Sequence, residues 1–324
     1  MYRDINFSLW CDFIERDFLK GEFSELIEKS VFNGATSNPA IFKSAFLNSS
    51  SYDEDKKRLK GRSAKEIYEA LAVEDIKLAA KRLLPLYERG YDGFISIEVD
   101  PLLCDDAKGT IEEGRRLYSE IGYPNVMIKV PATDAGYEAM ETLMSEGINI
   151  NATLIFSPNQ AKKCLDAFER ASRKIDMNLP KGVISVFVSR FDSKLDDKLE
   201  KLGIKVAKVG IYNATKIYNL IESRGLKNVR TLFASTGVKR DDLEPDYYIR
   251  ELLYENSVNT APLKTILEFI KKDRANLKTS DIEYEDFFKN LEDNGIDLNR
   301  VYEELLDEGI EAFKKAFREI LDNF

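Results

Sequence analysis

The chain has 324 residues, 44% of them apolar, with 17 Gly and 9 Pro; this supplies a large buried core and excludes a disordered or fibrous chain. Net charge is −9 with both signs interspersed, which argues against a nucleic-acid surface, and no run approaches the ~18 uninterrupted apolar residues of a membrane helix. There is no histidine, so His-dependent triads and His-rich zinc sites are excluded, and proton transfer falls to Asp, Glu, Lys, Tyr or water. The polar start, Met1 to Asn6, lacks a signal-peptide apolar region, and the expected location is the cytoplasm. Cys11, Cys104 and Cys164 lie apart in apolar surroundings and read as small buried hydrophobes without zinc-ligand spacing, so neither a metal nor a cofactor is expected.

One pattern recurs along the chain: a short apolar run ending in a polar residue, then a long amphipathic stretch. The first run is Phe7–Asp12 and the second Gly34–Asn38. Residues 43–61, rich in Ser, Lys and Asp, read as an exposed excursion. Ser63-Ala-Lys-Glu66 is a capping box, and behind it Ile67, Leu71, Ile76, Ala80 and Leu83 recur at helical spacing. Phe94–Glu98 and Val126–Lys129 are the third and fourth runs, and Asp134 is placed to cap the helix that follows. Ile148–Thr153 is the fifth, followed by a helix with Pro158 in its first turn and Ala161, Leu165 and Phe168 on one face. Val183–Ser185, Thr231–Ser235 and Val258–Thr260 complete eight.

Strands alternating with helices imply parallel strands joined by right-handed crossovers, and eight units predict a (β/α)8 TIM barrel. A doubly wound open sheet would be expected to bring a Gly-rich nucleotide loop, and the chain has no GxGxxG. Leu306, Ile310, Phe313, Phe317, Ile320 and Phe324 recur at steps of three and four, so residues 285–324 are expected to add a helical extension packed on the barrel. Residues 1–324 are read as one domain.

In such barrels functional residues project from the carboxyl ends of the strands. Asp12, Asn38, Glu98, Lys129, Asn151, Thr153 and Ser185 stand at those positions. A lysine within Val126-Met-Ile-Lys-Val130 either forms an ion pair inside the barrel or serves as a nucleophile, because removing water from around an amine favours its neutral form. Two carboxylates, Asp12 and Glu98, converging with Lys129 from three strands suit imine chemistry, which needs an amine, a proton donor and a base. Arg190, after the sixth strand, and Ser235-Thr-Gly-Val-Lys239, after the seventh, are candidates for holding a phosphate, with Ser235 and Lys239 the side chains concerned.

These motifs resemble those of the transaldolase family. Gly34-Ala-Thr-Ser-Asn-Pro-Ala-Ile-Phe42 is similar to the family's second-strand signature, Ile128-Lys-Val-Pro-Ala-Thr133 to its Schiff-base segment, and Ile150-Asn-Ala-Thr-Leu154 to its fifth-strand motif. The likeness in order and spacing runs from about Ser8 to Pro262, and the C-terminal helix is in keeping with the family's longer branch. The resemblance implies that Lys129 attacks the C2 ketone of fructose 6-phosphate or sedoheptulose 7-phosphate. Glu98, through a water held by Thr153, would assist dehydration, and Asp12 would take the C4 hydroxyl proton. Asn38, Asn151 and Ser185 would orient the dihydroxyacetone unit left on Lys129, which then adds to erythrose 4-phosphate or glyceraldehyde 3-phosphate. Arg190 matches a phosphate ligand of the family, whereas Ser235-Thr-Gly-Val-Lys239 departs from the Ser-Phe-Arg type loop of other branches.

Two alternatives remain at this point. One is a Schiff-base fructose 6-phosphate aldolase that releases free dihydroxyacetone; such cousins carry Gln where Glu98 stands and Tyr where Phe187 stands, so both positions point to transfer. The other is a non-catalytic barrel that binds sugar phosphates, which would not need a buried amine. The expected partners are small sugar phosphates, with no nucleic acid and no membrane, and the sequence leaves monomer and homodimer open.

Overall fold

The computed structural model describes residues 2–176, 178–272 and 275–324. The eight apolar runs form strands β1 (Ser8–Cys11), β2 (Gly34–Thr36), β3 (Ile95–Glu98), β4 (Val126–Pro131), β5 (Asn149–Ile155), β6 (Gly182–Phe187), β7 (Val229–Ala234) and β8 (Ser257–Ala261). Each pairs in parallel with the next, and β8 closes on β1. The chain is therefore the (β/α)8 barrel that the alternation predicts.

Helices α1 (Arg16–Lys20) and α2 (Glu22–Glu28) join β1 to β2, and α3 (Pro39–Asn48), α4 (Asp53–Arg58) and α5 (Ala64–Glu88) join β2 to β3. The next crossovers are α6 (Ala107–Ile121), α7 (Asp134–Ser145) and α8 (Pro158–Ser172). Helices α9 (Ser189–Lys201) and α10 (Val209–Ser223) precede β7, and α11 (Tyr247–Glu251) precedes β8. After β8 come α12 (Leu263–Ile270), α13 (Glu285–Asp293) and α14 (Leu298–Leu321). Among the described residues no helix is long and apolar enough to cross a membrane.

Strand alternation decides what faces inward. Leu9, Cys11, Ile97, Ile128, Val130, Ile150 and Ile184 belong to the apolar shell between sheet and helices, while Trp10, Met127, Val183, Leu232 and Val258 belong to a second cluster that fills the interior. The register sets inward residues side by side: Trp10 against Gly34, Glu98 against Lys129, Lys129 against Asn151, and Ser185 against Leu232. Gly34 has to be bare, because a Cβ there would meet the Trp10 ring at 2.6 Å. The floor is tied by Asp92, which accepts from Trp10 Nε1 at 2.9 Å and pairs with Arg230 Nη1 at 2.7 Å.

Local signals hold in most places. The Ser63–Glu66 capping box starts α5, Pro158 occupies the first turn of α8, and all three cysteines are buried. The cap of α7 is one residue earlier than expected: Thr133 has the extended backbone a cap needs and its hydroxyl accepts from the Gly136 N–H at 3.0 Å. Asp134 instead sits in the first turn, where it pairs with Lys163 at 2.9 Å.

The 43–61 segment differs from expectation as well. Most of its charges face outward, but Asp55 is half-buried and Phe46, Tyr52 and Leu59 are buried. The Tyr52 hydroxyl donates to Asp75 Oδ2 at 2.7 Å and accepts from the Arg16 N–H at 2.9 Å; the Arg16 guanidinium pairs with Asp75 and, at 2.7 Å, with Asp55. This buried network anchors the excursion to α1 and α5. The 285–324 extension is formed by α13 and α14, and α14 lies against α3 and α5, with Lys43 paired to Glu319 at 2.6 Å and the Tyr68 and Phe317 rings 5.0 Å apart. Of the expected stripe, Phe313, Phe317 and Ile320 on α14 are buried; Leu306 and Ile310 are half-buried, because Val301, Leu305 and Gly309 form the seam instead, and Phe324 lies half-buried past the helix end with its ring 6.1 Å from that of Phe46.

Candidate active site

At the carboxyl ends of the strands a cavity of about 310 Å³ collects ten of the eleven residues singled out from sequence: Asp12, Asn38, Lys129, Asn151, Thr153, Ser185, Phe187, Arg190, Ser235 and Lys239. Glu98 does not line it, but reaches it through Lys129.

Lys129 is 5% exposed. Its Nζ lies 3.3 Å from Glu98 Oε2 and donates to the carbonyl of Ser37 at 3.0 Å. Burial pushes the Glu98 carboxyl up to about 7, against the pull of the Lys129 charge. Apart from the Lys129 contact, neither Glu98 oxygen has a well-directed hydrogen bond among the described residues, and neither does the fully buried Thr153 hydroxyl, which lines the cavity. Asp12 accepts from Thr36 Oγ1 at 2.6 Å; burial raises its pKa, while Lys129 and the Thr36 hydroxyl draw it down. An amine thus stands beside one carboxyl that holds its proton near neutrality and a second that is also raised.

Several polar side chains lining the cavity are fixed by hydrogen bonds. Asn151 Nδ2 donates to Ser96 Oγ at 3.0 Å and its Oδ1 accepts from Ser185 Oγ at 2.6 Å. A register shift between Ala152 and Ile155, with Leu154 at φ 59°, turns β5 just beyond Thr153. Asn38 is not a strand residue: β2 ends at Thr36, and the Asn38 side chain caps α3, accepting from the N–H groups of Ala40 at 2.9 Å and Ile41 at 3.1 Å.

Arg190 belongs to the first turn of α9 rather than to a loop, since the helix begins directly after β6. Its guanidinium carbon lies 5.1 Å from the centroid of Phe187, whose ring in turn packs 5.2 Å from Phe156. Among the described residues Arg190 has no ion pair or hydrogen bond, so its donors are uncommitted. Ser185 and Phe187 share the inward face of β6, as alternation requires. Ser235 turns left-handed at φ 55° with its hydroxyl 3.0 Å from that of Ser189, and Lys239 is exposed at the rim.

Sequence reasoning missed several residues of this cavity. Thr36, two residues beyond Gly34 on the inward face, bonds both Asp12 and, at 2.7 Å, Thr260; alternation alone could have found it. Ser96, which does not line the cavity but holds Asn151, could have been found likewise, two residues before Glu98. Phe313 reaches the cavity from α14, and no local signal indicated which part of that helix would meet the site.

Fold and cavity together define a barrel enzyme centred on a buried lysine flanked by two carboxyls, with cations towards the rim. Residues 9–324 match the defining pattern of the transaldolase/fructose-6-phosphate aldolase family, and the chain belongs to that family. A protein named transaldolase from Campylobacter jejuni subsp. doylei is similar to it at 48% identity over 327 residues, covering 98% of both chains. Another, from Helicobacter pylori, is 45% identical over 321 residues, covering 98% of this chain and 99% of that protein.

Proposed function

We propose that this protein is a transaldolase that carries a dihydroxyacetone unit from fructose 6-phosphate or sedoheptulose 7-phosphate to erythrose 4-phosphate or glyceraldehyde 3-phosphate, as a Schiff base on Lys129. The observation that carries this reading is the enclosed Lys129 amine 3.3 Å from a Glu98 carboxyl held near neutral pKa. The amine adds to the C2 ketone, and Glu98, acting with the Thr153 hydroxyl, protonates the departing oxygen. Asp12 then takes the C4 hydroxyl proton, the C3–C4 bond breaks, and the aldose phosphate leaves. Asn151 and Ser185, locked to each other at 2.6 Å, hold the hydroxyls of the three-carbon enamine. Uncommitted Arg190, with Ser235 and Lys239, receives the phosphate. A cytoplasmic location with phosphorylated sugars as partners accompanies this reading.

Borohydride with fructose 6-phosphate should leave a reduced three-carbon adduct on the peptide that contains Lys129, and Lys129→Met should abolish turnover in a folded protein. Adduct on another lysine, or none with activity intact, would sink the mechanism.

A further inference from the structure

One wall of the cavity belongs to no barrel strand. Phe313 of α14 is 5% exposed, and its ring centroid lies 5.6 Å from Lys129 Nζ. Gly309, four residues earlier and so on the same helix face, packs where α14 meets the barrel. A Cβ at Gly309 would come within 2.9 Å of Leu154 Cδ2 and 3.1 Å of Arg190 Nη1, so the bare backbone lets the helix rest directly on β5 and α9. Beyond Phe313, the Tyr68–Phe317 ring contact and the Lys43–Glu319 pair hold the helix to α5 and α3. Phe313 is thus fixed from both sides, over the amine.

We propose that Phe313 is a specificity-determining residue that shields the covalent intermediate on Lys129 from water and so favours transfer over release. The inference rests on the reading that Lys129 carries that intermediate. The choice between fates is made at the enamine. For release, the enamine carbon takes a proton from water to give an iminium; water then adds to C2 and the C2–N bond breaks, yielding dihydroxyacetone and the free amine. For transfer, the same carbon attacks the acceptor's aldehyde carbon, a C–C bond forms, and the aldehyde oxygen takes the proton. Hydrolysis of the imine ends both routes, so only protonation at carbon separates them. An apolar ring over the adduct offers no proton and excludes the water that would supply one.

The test uses the full chain with Phe313→Ala, Phe313→Leu and Gly309→Ala. The quantity read is dihydroxyacetone released per unit transferred, from fructose 6-phosphate with and without erythrose 4-phosphate, with borohydride trapping of Lys129 alongside. The ratio should rise several-fold in Phe313→Ala and less in Phe313→Leu, which keeps most of the cover. It should also rise in Gly309→Ala, whose added methyl crowds the seat of α14 against Leu154 and Arg190; KM for fructose 6-phosphate is read alongside, because Arg190 is a proposed phosphate ligand. If Phe313→Ala does not fold, the other two decide. An unchanged ratio in folded variants that still trap adduct on Lys129 overturns the shielding role alone. No adduct in the unaltered protein overturns the underlying reading with it.

Discussion

Glu98→Gln exchanges a carboxyl for an amide of nearly the same shape and removes an exchangeable proton beside Lys129. Burial carries that carboxyl from its ordinary 4.5 to about 7, which corresponds to about 3 kcal/mol against the charged form. Glu98 is therefore protonated below about 7 and ionised above it. A step that needs it as an acid slows as pH rises through that value. A step that needs Asp12 as a base slows as pH falls through the raised Asp12 pKa, because the base is then protonated. The expected profile of kcat/KM is a bell with its alkaline limb at about 7. In Glu98→Gln that limb should vanish and kcat should fall by roughly 10²–10⁴-fold, the usual contribution of a positioned acid. Stability follows the same sign. The fold penalises the ionised form, so the unaltered protein loses up to about 3 kcal/mol through this group as pH climbs from the ordinary carboxylate range through about 7, and the variant lacks that slope. The assay couples glyceraldehyde 3-phosphate release to a dehydrogenase across neutral pH, with denaturant melts in parallel. A variant that retains both the alkaline limb and the rate would refute the role given to Glu98.

Arg190→Ala should raise KM for phosphorylated donors by roughly 10- to 100-fold, the loss of a charge-assisted contact of ~1.5–3 kcal/mol, and exposed Lys239→Ala should raise it less; an unmoved KM makes Arg190 structural. Phe187→Tyr adds a hydroxyl on the inward face of β6 and should raise dihydroxyacetone release relative to transfer, measured with and without erythrose 4-phosphate; no change returns Phe187 to packing. Arg16→Met leaves Asp75, whose pKa burial already pushes up to about 6, without its cation, and should cost ~3–5 kcal/mol by urea denaturation. A loss below about 1 kcal/mol would mean that the network does not anchor residues 43–61.

The barrel was legible because its strands are short and each pairs with its chain neighbour, so the run-and-helix rhythm maps directly onto the topology. Period-two alternation also carried the site. Asn151, Thr153 and Ser185 were visible as polar residues at the ends of apolar runs, and alternation from Ser185 put Phe187 on the same face. What stayed hidden depends on contacts between distant segments. Residues 43–61 looked solvated because their apolar anchors, Phe46 and Tyr52, are few and set among Ser, Lys and Asp, and Tyr52's partners Arg16 and Asp75 lie 36 and 23 residues away. Phe313 was recognised as apolar, yet its facing depends on the clearance at Gly309, which no pattern in α14 announces. The cap of α7 was misplaced by one residue because Thr133 and Asp134 are both good caps, and only backbone geometry separates them.

The floor of the barrel sets a rule for traffic. Trp10, held by Asp92 and backed by Gly34, fills the interior below the amine, and Arg230 braces the same end. A ligand of the cavity therefore comes and goes by the mouth. If Lys129 keeps three carbons while the rest of the donor departs, the departing aldose and the arriving aldose must use one doorway in turn. Such an enzyme runs as a double displacement: reciprocal plots at several fixed acceptor concentrations are parallel, and each aldose phosphate competes with the other for the loaded form. The tryptophan at the base thereby leaves the mouth as the shared doorway, and the unit kept on Lys129 sets the order in which it is used.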